Sequence, residues 1–161
     1  MKRKTVLFII MAVLLLAGCH QENTPEQPDQ NQQPESGQQE DNVNKKLHLY
    51  IDDLEVQVDW QDNDSISELT DLAKKGDIVI KMSRYGGFEQ VGSIGHSLTR
   101  NDRQITTQPG DIMLYSGNQI VIFHGSNSWS YTPLGKITSL NADQLKELLS
   151  QADVTVTITC Q

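Results

Sequence analysis

The chain has 161 residues, 37% of them hydrophobic, with 13 Lys and Arg against 21 Asp and Glu and a formal charge of −8. That acidic balance, with no basic stripe, excludes a surface built to neutralise nucleic-acid phosphates. No nucleic-acid partner is expected.

The first elements are at the N-terminus. Lys2, Arg3 and Lys4 precede the apolar run "TVLFIIMAVLLL", which leads into "LAGC" ending at Cys19. Charge, apolar length and small residues follow the layout of a secretory signal over 1–18. The apolar run falls short of the ~20 residues that a spanning helix needs. "LAGC" resembles the lipobox of bacterial lipoproteins. The resemblance implies cleavage before Cys19, thioether diacylation of its sulfur and acylation of the new amino terminus, palmitate being a typical chain. Several acyl chains anchor stably where one does not. The expected location is the extracytoplasmic face of a bacterial cell membrane, with the lipid bilayer as a partner through Cys19.

Residues 19–44 follow as a tether. From His20 to Asn44 there are seven Gln, three Pro and six carboxylates, and the only aliphatic side chain is Val43. Such a stretch cannot offset the entropy of ordering, so it is expected to be disordered. A coil of this length spans roughly 25–30 Å on average. Without Lys2, Arg3 and Lys4 the chain keeps 10 basic against 21 acidic side chains, a formal −11.

Residues 45–161 are long enough for one domain with its own core, expected to be monomeric. "KLHLYIDDLEVQVDW" alternates as a hairpin around Asp52-Asp53. "DSISELTDLAKKG" predicts a short helix with a Ser65–Glu68 capping box and a stop at Gly76. "DIVIKM" and "RQITTQ" predict strands. "DIMLYSGNQIVIFHG" predicts two strands around Ser116-Gly117-Asn118, and "PLGKIT" a shorter strand. "NADQLKELLSQ" predicts a second helix with Asn141 as N-cap, and "VTVTITC" a closing strand that can pair with the first hairpin. Many short strands, two short helices and no regular βα alternation predict a mainly β fold. The expected form is a closed antiparallel barrel with helices over its ends.

Two loops concentrate unusual residues. "YGGFEQVGSIG", 85–95, lacks the lysine of a phosphate-binding loop and does not open an apolar-periodic helix, so neither nucleotide fingerprint fits. Its glycines supply positive φ and close approach. Tyr85 and Phe88 either line a pocket mouth or plug a barrel end. In "HGSNSWSYTPLG", Trp129 and Tyr131 share one face of an extended segment. They either cover the core or wall a ligand groove.

Chemical signatures are sparse. His48, His96 and His124 are far apart and lack metal-ligand spacing, so no metal and no cofactor are expected. There is no Gly-x-Ser-x-Gly elbow. The domain's fifteen carboxylates are scattered and read as solvated surface. With Cys19 lipidated, Cys160 has no partner and reads as a small side chain ending the last strand.

The anchors "YGGFE", "TTQPGDI", "LYSGNQIV" and "GSNSWSYT", within Met82–Ile137, closely resemble a bacterial family of cyclophilin-like fold proteins. The resemblance covers about 47–140 and implies a cyclophilin-like β-barrel, but no particular reaction. True cyclophilins are peptidyl-prolyl isomerases with an arginine beside a proline pocket. Their Phe-His-Arg and Phe-Met-Ile-Gln-Gly-Gly-Asp signatures are absent here. Two functions are therefore weighed. The first is a tethered module that binds a peptide or small molecule. Its candidate contacts are Tyr85, Phe88, Gln90, His96, His124, Asn127, Trp129 and Tyr131. The alternative is a prolyl isomerase, with Arg84 or Arg100 as the candidate catalytic donor.

Overall fold

The computed structural model describes residues 46–161. The signal segment 1–18, the lipidation candidate Cys19 and the tether 19–44 lie outside the described residues. Twelve elements follow in chain order. They are β1 (Leu47–Ile51), β2 (Leu54–Val56), β3 (Val58–Trp60), α1 (Asp64–Ala73), β4 (Ile78–Tyr85) and β5 (Glu89–Ser93). Then come β6 (Arg103–Thr106), β7 (Asp111–Tyr115), β8 (Gln119–Phe123), β9 (Ser128–Ile137), α2 (Ala142–Leu149) and β10 (Asp153–Cys160).

The strands run antiparallel in the order β2-β1-β10-β4-β5-β8-β7-β9-β3, with β6 paired to β9 off this path. The two ends of that order are one stretch of chain, because only Gln57 separates β2 from β3. Leu54–Trp60 therefore pairs β1 at one end and β9 at the other. The Trp60 indole adds a bond across the seam, donating to the Leu47 carbonyl at 3.2 Å. This is the nearly closed antiparallel barrel with two short helices that the strand count predicts. The last strand pairs with the first as expected, Leu49 opposite Ile158.

The alternating pattern of β1 places Leu47, Leu49 and Ile51 inside, and β10 adds Val154, Val156 and Ile158. A fully buried Leu or Ile contributes about 1.5–3 kcal/mol relative to an exposed one. Strands β7 and β8 are buried on both faces. Ile112, Leu114, Ile120 and Ile122 point into the main core. Met113, Val121 and Phe123 point the other way and join Tyr131 in a second cluster outside the barrel.

Three local readings change. The helix α1 starts earlier than the Ser65–Glu68 capping box implies. Asn63 is the N-cap, its side chain accepting from the Ile66 N–H. Ser65 and Glu68 are freed for another task. The Ser65 hydroxyl donates to the Thr99 carbonyl at 2.6 Å, and Glu68 accepts from the Thr99 N–H at 2.6 Å. The helix thereby holds the 94–102 loop. By contrast the α2 N-terminus is as expected, with a reciprocal Asn141–Gln144 box.

The Gly-rich segment is not a loop throughout. It is a hairpin in which Tyr85 pairs with Glu89, and Gly86 and Gly87 turn the chain at φ +59° and +76°. Positive φ at successive residues is what tight hairpin turns demand. The shorter strand expected at "PLGKIT" is a ten-residue β9 reaching back to Ser128. Its register shifts opposite Ile112/Met113, so Pro133, which has no N–H to give, sits at the irregularity.

Gly92 has a different role. A Cβ there would sit 2.5 Å from Ile80 Cγ2 and 2.8 Å from the Lys81 carbonyl oxygen. Gly92→Ala is expected to destabilise by about 1–3 kcal/mol, the usual cost of overpacking. Urea denaturation should show a lower midpoint with an unchanged slope. An unchanged midpoint would mean that β4 and β5 are not packed this closely.

Candidate functional site

The outer cluster carries a concavity. It has a volume of about 380 Å³ and is lined by Tyr85, Glu89, Val91, Tyr115, Gln119, Val121, Asn127, Trp129 and Tyr131. Strand parity explains the set. On β5, Glu89 and Val91 face outward while Gln90 and Gly92 face the interior. On β9, Trp129 and Tyr131 share the outward face, and on β8 Gln119 and Val121 do. Tyr85 ends β4, Tyr115 ends β7 and Asn127 precedes β9, so three strand ends form the rim.

The floor is buried and the rim is exposed. Val121, Tyr131 and Glu89 are buried, whereas Tyr85 is 68% exposed and Trp129 55%. The Tyr131 ring packs edge-on against Phe123 at 5.6 Å and Tyr115 at 6.1 Å between centroids. Its hydroxyl accepts from the Asn127 amide at 3.1 Å. Asn127 is itself fixed. Its N–H donates to the Thr107 hydroxyl at 2.9 Å and its carbonyl accepts from the Thr107 N–H at 2.8 Å.

The two aromatic segments thus border one groove, with Tyr85, Asn127, Trp129 and Tyr131 lining it together. The other candidate contacts lie elsewhere. Phe88 packs against the outer cluster, and its carbonyl accepts from the His124 and Gly125 N–H groups at 2.9 Å each. Gln90 points into the barrel, and its amide donates to the carbonyls of Leu149 at 2.9 Å and Gln151 at 2.8 Å, holding the end of α2. His96 borders a shallow depression beside α1 with Glu68 and Lys75. His124 is buried away from the groove. Burial, with the charges of Arg84 and Lys146, holds its imidazole below the usual histidine range.

Neither arginine reaches the groove. Arg84 donates to the Ser150 carbonyl at 2.9 Å, at the C-terminus of α2. Arg100 pairs with Asp102, which also accepts from the Thr132 hydroxyl at 2.6 Å. Among the described residues no group of three or more His, Cys, Asp or Glu is placed to hold a metal.

Glu89 is the functional candidate that sequence reading passed over. It is 5% exposed, and its Oε2 has no hydrogen-bond partner among the described residues. Burial alone pushes its carboxyl up to about 7. No Lys, Arg or His lines the groove with it. The chemistry available there is one acceptor carboxyl amid aromatic rings, with two side-chain amides at the edge. There is no second carboxyl or imidazole for paired acid–base work.

A carboxyl raised in the folded state binds its proton more tightly than in the unfolded chain. Unfolding then releases a proton between about pH 4.5 and 7, and stability falls as pH rises through that window. Glu89→Gln removes the penalty. The variant should match the parent near pH 4 and exceed it at pH 8, by up to roughly 3 kcal/mol. Urea melts at the two pH values check this. An equal effect at both would show that the carboxyl is not held protonated by burial.

The comparisons with known proteins agree with this architecture. A solved structure of McbB in complex with tryptophan superposes with a TM-score of 0.50 at 13% identity, over 71% of this chain. The match spans 44% of the McbB chain, so the likeness concerns the fold. No curated protein matches the sequence. The model of the Cyclophilin-like family matches residues 49–159, nearly the whole described domain. The chain belongs to the cyclophilin-like family.

Proposed function

We propose that the protein is a lipid-anchored binding module that takes a peptide or small molecule into the outer groove on the extracytoplasmic side of the membrane. One observation carries the binding half of this reading. Exposed rings of Tyr85 and Trp129 rim a concavity whose floor is apolar apart from one unpartnered carboxyl. Ligand sites have this composition, mostly apolar with a few convergent polar groups. Exposed aromatic rings in a soluble face are otherwise a liability. The anchor half rests on "LAGC" behind a basic and apolar leader, followed by the Gln- and Pro-rich tether.

The isomerase reading has less support in the groove. A twisted prolyl amide needs a donor near its nitrogen, and both arginine candidates are engaged elsewhere. A panel of proline-containing and proline-free tetrapeptides, added to the full chain in a non-ionic maltoside, tests both functions. Groove binding should shift the Trp129 signals, and Trp129→Ala should weaken it at least tenfold, as truncation of an aromatic hot spot does. Arg84→Ala should bind as the parent does. Acceleration of cis-trans exchange that Arg84→Ala abolishes would replace the binding reading with the isomerase.

The anchor has its own test. Cys19→Ser should abolish incorporation of labelled palmitate and move the protein from the membrane to the soluble fraction. A variant that stays in the membrane fraction would point to an uncleaved apolar anchor.

A further inference from the structure

We infer that the groove selects ligands bearing an organic ammonium group, which Glu89 neutralises between the aromatic rings of the rim. This deepens the binding reading above and rests on it.

Three observations converge on that class. First, Glu89 is the only Asp or Glu among the lining residues, and no lining Lys, Arg or His competes for it. Its Oε2 is left without a partner. A buried carboxylate in that position calls for a charge-assisted donor, and an ammonium supplies up to three. Second, Tyr85, Tyr115 and Trp129 are the domain's most exposed aromatic rings, and all three border this groove. The face of an aromatic ring attracts a cation, Trp most strongly, and rings gathered around a cavity are the common solution for alkylammonium ligands. Third, the alternatives fit less well. An anion would meet Glu89 in a poorly solvated floor with no cationic side chain to hold it. A neutral ligand would supply no counter-charge to the carboxylate form that prevails above about pH 7.

The backbone that carries the carboxyl is held on both sides. Glu89 lies between two ladders, opposite Tyr85 on β4 and Phe123 on β8. That double pairing fixes the backbone, and the residue is only 5% exposed, so a counter-charge reaches the carboxyl through the groove. Burial raises its affinity for a proton, and an incoming cation acts in the opposite sense by stabilising the ionised form.

Two matched probes test the inference on the full chain in non-ionic maltoside at pH 8, where the carboxyl is mostly ionised. They are 2-phenylethylammonium and 2-phenylethanol, alike in shape and different in charge. Binding is read from the NMR resonances of the Trp129 indole and the Glu89 and Val91 amides. The ammonium should bind at least tenfold more tightly than the alcohol, and Glu89→Gln should remove most of the preference, the rings keeping the remainder, while leaving alcohol binding as it was. Trp129→Leu, at an exposed position, should weaken the ammonium more than the alcohol and serves if Glu89→Gln does not fold. Equal or tighter binding of the alcohol to the parent would overturn the ammonium selectivity and leave the groove a binding site. A preference undiminished in Glu89→Gln would overturn the role of the carboxyl. If neither probe moves the groove resonances, the selectivity and the groove as a small-ligand site both fall.

Discussion

Strands β7 and β8 must bury apolar side chains on both of their faces, and the rest of the molecule is arranged around that constraint. "DIMLY" and "QIVIF" carry no polar-out alternation. One face of each fills the barrel, as antiparallel closure requires. The other face needs a second cover, and it gets a partial one. β6 folds onto β9, while Phe88 and Ile105 pack against Met113, Val121 and Phe123. Where that cover stops, between the β4–β5 turn and the start of β9, the groove begins. The site is therefore the unfinished part of an outer core.

This origin explains the position of Glu89. A carboxyl at an outward position of β5 would ordinarily be solvated. Here the position faces the second cluster, beside Tyr131 and Val121. Desolvation without a partner is a cost to the fold, and functional sites are where such local conflicts collect. Gln90, next along the chain, shows the contrast. Its side chain is also buried, but its amide closes the last turn of α2 and has a structural account. Neighbouring residues on opposite faces of one strand thus carry opposite meanings.

Much of this is legible in the sequence. The barrel class follows from the number and shortness of the alternating segments, and the pairing of Trp129 with Tyr131 follows from their period-2 spacing. The conjunction of two aromatic segments at one groove was open in the sequence, because no local pattern fixes which strands become neighbours. The hairpin at Tyr85–Glu89 was hidden by composition. Glycine and, to a lesser degree, Glu are depleted in strands, and the strand exists because β4 and β8 each offer it a ladder. With β5 unread, the outward parity of Glu89 and Val91 had no frame. Residue type and adjacency single out His124 and Gln90, but parity sends both away from the groove. The Ser65–Glu68 spacing matched a cap, but Asn63 took the role two residues earlier.

The place of β10 has a kinetic corollary. It is the last strand in chain order, yet it lies between β1, the first, and β4. Lys46 and Gln161 exchange backbone hydrogen bonds beside it, at 2.8 and 3.2 Å. The gap between β1 and β4 cannot close until residues 153–160 exist. Contacts of such long sequence separation form late and slowly. Until then the wall keeps a gap between β1 and β4, so closure of the barrel depends on residues 153–160.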